Sequence, residues 1–325
     1  MPELPEVETI RRGLNSRILG RKIREIQLLN DKSFRASKLD IANFAKGASI
    51  VSIGRRGKML IIQLSSGYSL LIHLRMTGQL IFRTEKVEDE FAKNPGELTF
   101  AGIGEDETNF GGGHPTESMV ANLPDRSTRI IFEFSDGSKL FFNDQRKFGF
   151  AKLVPNDLVD QEDFLKKLGP EIIDFTAEKL AAEPAETTAK EFISRARRHK
   201  NSPIKAVILD QTVIAGIGNI YADEALWGAK VHPATTVKNL TDAELREILL
   251  QAKIAMEKSL TSGGSTMKNY VRADGTRGNY LDLFANVFRR EGQPCPRCGT
   301  EIIKLKIAGR GTHICPNCQK EKNEN

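Results

Sequence analysis

Cys295-Pro-Arg-Cys298, sixteen further residues, and Cys315-Pro-Asn-Cys318 decide how the C-terminal part of this chain folds, and they contain its only four cysteines. Two Cys-x-x-Cys pairs at this separation are typical of a tetrahedral zinc site, because each pair forms a tight turn that offers two thiolates. A module of about 30 residues buries too little apolar surface to be stable alone, so the metal supplies folding energy. We predict one structural Zn²⁺, since four cysteine ligands leave no position open for a substrate.

The alternative for these cysteines is a pair of disulfide bonds, and the rest of the sequence argues against it. The N-terminus shows no basic segment followed by an apolar one, and no run of about 18 apolar residues occurs. We therefore expect a cytoplasmic protein without a membrane span, in which thiols stay reduced.

The chain is long and basic enough for two domains and a polyanionic partner. Its 325 residues carry a net charge of +6, and 39% of them are hydrophobic. Positive charge is concentrated at residues 195–205 and 289–310. A basic run is ordinarily a solvated surface, but runs close to a zinc module favour nucleic acid as the partner.

The hydrophobic pattern divides the chain into a strand-rich half and a helical half. Residues 3–19 repeat apolar side chains at helical spacing, and residues 22–155 contain short alternating segments separated by turns, as in a β-sandwich or barrel. Residues 86–127 are glycine-rich and aperiodic, so we predict a long inserted loop. After residue 155 the pattern becomes helical, with a long amphipathic helix at 241–260.

A glycine-rich break, Gly216-Ile-Gly218-Asn219, separates two helices of the second half. The second helix starts at this turn, so its free N–H groups offer a seat for a phosphate, and Asn219 adds a side-chain donor. The alternative is that the glycines only allow close helix packing. The basic run upstream, which includes Lys200 and Lys205, favours the phosphate site.

The N-terminus combines a proline with an acidic helix start. Once Met1 is removed, Pro2 carries a secondary α-amine. Such an amine titrates at about pH 8, and the positive end of a helix dipole lowers its pKa further. Such an amine forms an iminium ion with a sugar aldehyde carbon, and the iminium is an electron sink that lets a β-phosphate leave. Glu3 is the adjacent candidate for a general acid. Most Met-Pro N-termini have no such role, so the residues alone leave this question open.

Two turns of the strand-rich half place apolar side chains beside an arginine. Met76 lies in one turn, and Arg146 and Phe148 lie in the other. On loops of a basic protein this combination suits insertion into a DNA stack. Packing of Met76 in the core is the alternative.

Together these motifs resemble those of the formamidopyrimidine-DNA glycosylases, a family of bacterial enzymes that repair oxidised purines. The resemblance runs from residue 2 to residue 318, with the motifs in the same order. They are Pro2-Glu3-Leu4-Pro5-Glu6-Val7-Glu8-Thr9, Gly57-Lys58, Asp144-x-Arg146-x-Phe148-Gly149, Gly216-x-Gly218-Asn219-Ile220-Tyr221-Ala222, Gly263-Gly264 and the four cysteines.

The resemblance implies an α+β fold. It would comprise a catalytic β-sandwich with flanking helices at 1–155, including the insertion at 86–127, a linker at 156–176, a helix–two-turn–helix domain at 177–288 and a zinc-ribbon finger at 289–320. Damaged double-stranded DNA would bind between the two halves of a monomeric protein.

The resemblance also implies a role for each matching residue. Pro2 would be the nucleophile on C1′ of the damaged nucleotide, and Glu3 would protonate the sugar as its ring opens. Lys58 would donate a proton during β-elimination and touch phosphate, and Arg310 would serve δ-elimination and bind phosphate. The remaining matches would contact the DNA: Met76, Arg146 and Phe148 in the gap left by the flipped base, Lys200, Lys205, Asn219 and Tyr221 on the backbone, and Thr266 and Lys268 in the loop over the everted base.

Two features depart from the family pattern. Ser127-Thr128-Arg129 stands where many members have His-x-His, so the phosphate contact expected there depends on whether Arg129 replaces it, and the 86–127 insertion is longer than expected.

Two alternatives to this function remain. The sibling family, endonuclease VIII, shares the amine chemistry but prefers oxidised pyrimidines and usually begins Pro-Glu-Gly-Pro; Leu4 and the long loop at 263–279 favour the purine branch. The other alternative is a non-enzymatic zinc-ribbon DNA-binding protein, which the presence of both Pro2 and Glu3 disfavours.

Overall fold

The computed structural model describes residues 2–85, 109–114, 116–119, 122–173, 183–261, 270–271, 277–278 and 285–322. The chain forms two compact units. The first contains Met1–Leu165 and Gly263–Tyr280, and the second contains Lys166–Ser262 and Leu281–Asn325. The C-terminal module therefore packs with the helical residues in one compact unit.

The helices are α1 (Leu4–Ile18), α2 (Lys38–Asp40), α3 (Asp163–Lys166), α4 (Glu186–Arg197), α5 (Ile204–Leu209), α6 (Asn219–Gly228) and α7 (Asp242–Thr261). The strands are β1 (Ile23–Leu28), β2 (Phe34–Arg35), β3 (Ile50–Arg56), β4 (Met59–Leu64), β5 (Tyr68–His73), β6 (Gly78–Arg83), β7 (Asn109–Gly113), β8 (Thr128–Phe134), β9 (Lys139–Asp144), β10 (Phe150–Pro155), β11 (Tyr270–Val271), β12 (Arg277–Gly278), β13 (Ile303–Ile307) and β14 (Arg310–Ile314). Helix α2 continues into a π-helical turn at Ile41–Ala45.

Helix α1 starts where its first residues satisfy the free backbone donors of a helix end. Glu3 is the N-cap with an extended backbone, and its N–H donates to Glu6 Oε2 at 2.7 Å. Pro5 lies in the first turn, where the missing N–H has no cost. The apolar stripe predicted from the sequence is buried, and α1 packs on β3 and β7. The predicted N-terminal helix is therefore confirmed.

Two five-stranded sheets form the sandwich of the first unit. Their strand orders are β1-β8-β9-β6-β7 and β2-β10-β5-β4-β3, and β2 with β10 is the parallel pair. One core fills the space between the sheets and α1, with Leu60, Ile72, Phe82, Phe132 and Phe142 among its fully buried members. The sandwich rather than the barrel is thus the observed architecture.

Strand β7 corrects the prediction of a continuous loop at 86–127. Its five residues are buried and pair with β6 in antiparallel register. The glycines that suggested a loop are needed because α1 lies close by: a Cβ at Gly112 would come within 2.4 Å of the Ile10 side chain. Phe110 of the same strand is a core residue with 1% exposure. Residues 86–108 of the predicted loop lie outside the described residues.

The second unit is built on the packing of α6 against α7. The carboxylate of Glu224 in α6 accepts the N–H groups of Asn286, Val287 and Phe288 at 2.8–2.9 Å, which ties the start of the ribbon to this helix. The ribbon hairpin β13–β14 also packs on α6. Its turn residues Ala308 and Gly309 both have positive φ, 50° and 74°, as a two-residue hairpin turn requires.

Most other predicted elements match to within a few residues, and the exceptions are local. The sequence missed β3, which is half-exposed and contains Gly54 with two arginines, and the two-residue β2. Of the half predicted to be helical, residues 174–182 lie outside the described residues, and residues 285–288 are described but are not helical. Among the described helices, none is long and apolar enough to span a bilayer.

Candidate nucleic-acid interface and metal centre

The four cysteines of the ribbon converge on one point. Their sulfur atoms all lie within 4.8 Å of one another, and the Cys298–Cys315, Cys298–Cys318 and Cys295–Cys318 separations are 3.4, 3.5 and 4.0 Å. An ion about 2.3 Å from each sulfur places the corners of a tetrahedron about 3.8 Å apart, whereas a disulfide needs about 2.05 Å. The set therefore fits one structural zinc ion and excludes the disulfide alternative.

The surroundings of the thiols fit a metal as well. Hydrogen bonds from Thr300 and Asn317 lower the pKa of Cys298 to about 5. Burial and the neighbouring thiols Cys298 and Cys315 raise the pKa of Cys318 to about 12. Four thiolates can share this space only with a cation among them.

Outside the ligands, the indole N–H of Trp227 donates to Cys295 Sγ at 3.4 Å, and the guanidinium of Arg297 lies 3.9 Å from the Trp227 ring centre. The indole belongs to α6, so one sulfur ligand is oriented by the helical part of the second unit.

Pro2 and Glu3 stand immediately before the first turn of α1. Pro2 is buried and Glu3 is 3% exposed. Met1 precedes Pro2 in the chain, so the nitrogen of Pro2 is an amide until Met1 is removed.

An ion-pair network links the first turns of α1 to the β3–β4 turn that carries Lys58. Glu8 is 1% exposed and bonds to Arg11 and Arg12, and it lies 3.3 Å from Arg55 Nε. Burial alone would raise the pKa of Glu8, but these arginines outweigh it and lower the pKa. Arg55 also donates to the carbonyl of Gly57 at 2.9 Å, directly before Lys58. The helix start and Lys58 are thus fixed to one another.

Lys58 belongs to a cationic cluster with Arg35 and Arg75 that surrounds His73. Burial first, and then the charges of Arg75, Lys58 and Arg35, lower the pKa of His73 to about 3, so this imidazole is neutral at physiological pH. His73 Nδ1 accepts the N–H of Arg75 at 3.0 Å. Three like charges around a neutral ring favour an anion, and of the three Lys58 is buried, Arg75 is half-buried and Arg35 is exposed.

Sequence reasoning missed the contribution of Arg35 and Arg75. The Arg35 guanidinium lies 3.6 Å from the Phe150 ring centre, because β2 pairs with β10. Arg75 was visible beside Met76 but carried no predicted role. Its positive φ of 52° is the local sign of a constrained turn.

A buried carboxylate joins the two turns predicted to insert into DNA. Asp144 is fully buried and accepts the N–H groups of Arg146 at 3.1 Å and Gly149 at 2.7 Å, and the hydroxyl of Thr77 next to Met76. Thr77 Oγ1 also accepts the N–H of Arg146 at 3.0 Å. The structure therefore brings the Met76 turn and the Arg146–Phe148 turn together.

The side chains carried by these turns remain outside. Phe148 is 54% exposed, and the Arg146 guanidinium lies 4.9 Å from its ring centre. Met76 is half-buried. A large exposed aromatic beside an arginine on a fixed turn is the arrangement expected of an intercalating pair.

Arg129 does not present its charge to solvent. It is 8% exposed, and it donates to the carbonyl oxygens of Asp144 at 2.8 Å and Arg126 at 3.0 Å. Its guanidinium supports the Asp144 turn from behind, so the structure gives no support to a phosphate contact in place of the family's His-x-His.

In the second unit, Lys200 and Arg310 are exposed and Asn219 is half-buried at the first position of α6. Asn219 Nδ2 donates to the carbonyl of Gly311 at 3.0 Å, which joins the glycine turn to the ribbon hairpin next to Arg310. The predicted helix start at the glycine break is observed, with Gly218 as N-cap.

Lys205 and Tyr221 are corrections to the sequence prediction. The Lys205 side chain has no exposure and its ammonium bonds to Asp223, Thr312 and the carbonyl of Gly311. Tyr221 is 1% exposed, and its hydroxyl donates to Ser259 at 2.7 Å between α6 and α7. Neither polar atom faces solvent, so both residues serve the packing of the unit rather than a direct contact with a DNA backbone. Thr266 and Lys268 lie outside the described residues.

Comparison with known proteins extends over the whole chain. Three family profiles match in succession: the formamidopyrimidine-DNA glycosylase N-terminal domain at residues 1–151, the H2TH domain of the same enzymes at 180–271, and a zinc finger found in FPG and IleRS at 292–320. Formamidopyrimidine-DNA glycosylases of Pelotomaculum thermopropionicum and Streptococcus pyogenes are 36% and 37% identical, each over 99% of this chain and 100% of the relative.

Solved structures give the same result. A Lactococcus lactis Fpg mutant in complex with Fapy-dG-containing DNA superposes with a TM-score of 0.76 at 31% identity, over 98% of this chain and 100% of that one. Lactococcus lactis Fpg in complex with DNA containing an abasic site has a TM-score of 0.76 at 30% identity, with the same coverage.

Proposed function

This chain belongs to the formamidopyrimidine-DNA glycosylase family, and from that membership we propose that it is a bifunctional DNA glycosylase and AP lyase that excises oxidised purines such as 8-oxoguanine and formamidopyrimidines. One observation carries the proposal: the Pro2-Glu3 pair stands at the start of α1 in a chain that matches its relatives over 99% of its length. Glu3 also caps α1, so Pro2 beside it is the residue that separates this proposal from a protein that only binds DNA.

Catalysis begins with the nitrogen of Pro2, which becomes a secondary amine when Met1 is removed. The amine attacks C1′ of the damaged nucleotide, and the glycosidic bond breaks with its electron pair passing to the base. The proton lost from the attacking nitrogen neutralises the departing base. The C1′–O4′ bond then breaks, Glu3 protonates O4′, and the nitrogen lone pair forms the iminium ion.

Two eliminations follow from this iminium ion. A proton leaves C2′ and the 3′-phosphate departs with the C3′–O3′ electron pair, which conjugates the iminium. A proton then leaves C4′ and the 5′-phosphate departs with the C5′–O5′ pair. Hydrolysis frees Pro2 and leaves a single-nucleotide gap with a phosphate at both ends. Lys58 donates a proton in the first elimination, and Arg310 stabilises the charge of the phosphate that departs in the second.

The DNA contacts come from both units. We assign the cationic cluster Arg35, Lys58 and Arg75 to phosphates next to the lesion, because it surrounds a neutral histidine with like charges. Met76, Arg146 and Phe148 occupy the space of the everted base on the two turns that Asp144 joins. Asn219 with the N-terminus of α6, and Lys200, hold further phosphates. Thr266 and Lys268 cover the everted base.

The remaining properties follow from these assignments. Zinc has a structural role, and the reaction needs no organic cofactor because the amine itself is the electron sink. We propose a monomer that acts on damaged double-stranded DNA in the cytoplasm.

Borohydride trapping tests the proposal. The protein is mixed with a duplex containing 8-oxoguanine, reduced, and digested for mass spectrometry, and the DNA should be attached to Pro2. The matched control is the same protein with one extra residue before Pro2, whose nitrogen is then an amide and should give no adduct. An adduct on a lysine, or full activity of the extended protein, contradicts the amine assignment. Faster nicking of a thymine-glycol duplex would assign the chain to the pyrimidine branch instead.

A further inference from the structure

The hairpin tip that carries Arg310 is tied to α5 and α6 by a polar network whose side chains Lys205, Asp223 and Thr312 are fully buried. At its centre is Lys205, whose three N–H donors meet three acceptors. These are Asp223 Oδ1 at 2.6 Å, Thr312 Oγ1 at 2.7 Å and the carbonyl of Gly311 at 3.1 Å. Two of the three lie on the residues that directly follow Arg310.

Asp223 completes the network from the other side. Its side chain has no exposure, and while Oδ1 accepts from Lys205, Oδ2 accepts the N–H of His313 at 2.9 Å and lies 3.1 Å from the His313 ring nitrogen Nδ1. One carboxylate thus joins α5, α6 and β14. A buried polar network in which each group is satisfied is rigid, since any displacement leaves a desolvated charge without a partner.

Thr312 connects this network to Arg310 itself. Its hydroxyl accepts from Lys205 and donates to the carbonyl of Arg310 at 3.1 Å. The Arg310 side chain is exposed at the end of the two-residue turn, and among the described residues no ion pair involves it. The backbone of Arg310 is therefore fixed while its guanidinium remains available to a ligand.

We propose that Asp223 and Lys205 are positioning residues for Arg310: through Thr312 they hold the hairpin tip so that the guanidinium meets the phosphate that departs from C5′. This inference rests on the proposed function, which gives Arg310 its part in the second elimination. A long side chain on a hairpin tip can stabilise a developing charge only if its backbone is fixed, because a displacement of about 1 Å costs about a hundredfold in rate.

The test measures a product ratio within a single reaction. On a duplex with a preformed abasic site, β-elimination leaves a 3′-unsaturated aldehyde end and δ-elimination converts it into a 3′-phosphate end. Under single-turnover conditions with saturating enzyme, Asp223→Asn should lower the phosphate-to-aldehyde ratio about tenfold, while the borohydride-trapped adduct on Pro2 still forms. A general loss of stability lowers both products together and does not change the ratio.

A milder pair of variants isolates the link to Arg310. Thr312→Val removes the hydroxyl at constant shape and should lower the ratio about threefold. Thr312→Ser keeps the hydroxyl and should restore the wild-type ratio. If Asp223→Asn does not fold, this pair decides, and equal ratios for the two Thr312 variants would overturn the proposal.

Glu224→Gln is the matched control, because Glu224 is the next residue of α6, is also buried, and holds residues 286–288 instead of the hairpin tip. Its ratio should equal that of the wild type. Arg310→Ala sets the lower limit of the phosphate-to-aldehyde ratio. The double variant Asp223→Asn/Arg310→Ala should have the same ratio as Arg310→Ala alone.

The failures are distinguishable. A wild-type ratio for Asp223→Asn beside a lowered one for Arg310→Ala rejects the positioning role alone. A wild-type protein that forms no adduct rejects the proposed function, and the positioning role with it.

Discussion

Asp144 in the first unit and Asp223 in the second are both fully excluded from solvent, yet they organise their surroundings in different ways. Asp144 accepts from neutral donors, and two of them are backbone N–H groups of its own turn, at Arg146 and Gly149. Asp223 pairs with a buried ammonium that lies 18 residues away along the chain and with His313, which lies 90 residues away. The first carboxylate shapes one turn and fastens a neighbouring one; the second joins three elements that the sequence keeps apart.

This difference predicts what the loss of each carboxylate does to the structure around it. A turn held by neutral hydrogen bonds loses geometry when its acceptor is weakened, and the core beneath it remains. A buried ion pair leaves an uncompensated charge when one partner is removed, so the unit that contains it becomes unstable.

Loss of zinc should have the largest effect, and it should be confined to the second unit. Cys298→Ser removes one of the four ligands, so the ribbon loses the metal that stabilises it. DNA affinity should fall by about a hundredfold or more. Arg310 lies on this ribbon, and so does the carbonyl of Gly311, which accepts the hydrogen bond that holds Asn219. Zinc content by atomic absorption and Kd by fluorescence anisotropy measure the two effects. Unchanged affinity in the zinc-free protein would contradict the structural role of the metal.

Removal of the Asp223 carboxylate should lower the unfolding free energy more than removal of the Asp144 carboxylate. Asp223→Ala leaves the Lys205 ammonium buried without the carboxylate that balances its charge, which costs about 3–5 kcal/mol of unfolding free energy. Asp144→Ala leaves backbone donors unsatisfied and costs about 1–3 kcal/mol. Urea unfolding followed by circular dichroism compares the two variants. The double variant Asp223→Ala/Lys205→Met should recover part of the larger loss, and no recovery would argue against the unpaired charge as its cause.

Asp144→Asn should act on base removal more than on strand cleavage. The amide can no longer accept from all three donors, so the Met76 turn and the Phe148 turn lose their fixed relation. Excision of 8-oxoguanine should slow about tenfold, because it requires the base to be everted and its space filled, whereas cleavage at a preformed abasic site requires less of this. Single-turnover rates on the two substrates give the comparison. Equal slowing on both would show that the turns serve general DNA binding.

His73 should give the first unit a pH dependence that neither aspartate explains. Its pKa is about 3 in the folded protein and about 6.5 in the unfolded chain, so between these values the unfolded state binds one more proton. This contribution to stability is complete above about pH 6.5 and falls by about 1.4 kcal/mol per pH unit as the solution becomes more acidic. His73→Asn keeps an acceptor for the N–H of Arg75 and should remove that slope. Urea unfolding at several pH values tests it, and parallel curves for the two proteins would refute it.

Substitution of Lys200 should have the smallest effect on DNA affinity, because this lysine is exposed and its neighbours carry the same charge. Kd should rise steeply with salt, since several phosphates are neutralised. Lys200→Ala should reduce the slope of log K against log salt by about 0.9 and leave the product ratio unchanged. A slope equal to that of the wild type would remove Lys200 from the interface, and a flat plot for the wild type would contradict phosphate binding altogether.

The parts of the fold that were predictable are those encoded by local pattern. The short apolar segments of β4–β6 and β8–β10 and the apolar stripe of α1 could be read directly, because most of their residues are buried. Strand β7 could not, because Gly111, Gly112 and Gly113 carry no hydrophobic pattern and are explained only by the helix that lies against them. Strand β3 was missed because only Ile50 and Ile53 of its seven residues are buried.

The candidate site divides in the same way. Pro2, Glu3, Lys58 and Arg310 could be named because they stand at fixed places in recognisable motifs. Arg35 could not, because its place in the cationic cluster depends on the pairing of β2 with β10. Lys205 and Tyr221 were assigned to the DNA because a sequence does not distinguish a polar side chain that faces solvent from one that faces a partner within the protein.

The sequence by itself determined the four zinc ligands, the helix that follows Pro2 and the glycine turn before α6, because each depends on residues that are near one another along the chain. Only the tertiary structure decided which charges are sealed inside and which are left for a ligand. The ammonium of Lys205 is enclosed because Asp223 and Thr312, the latter 107 residues further along the chain, meet it in the folded unit, while Arg310 two residues before Thr312 stays in solvent. Burial depends on contacts between distant segments, and the desolvation cost that makes such a pair specific arises only when those segments come together.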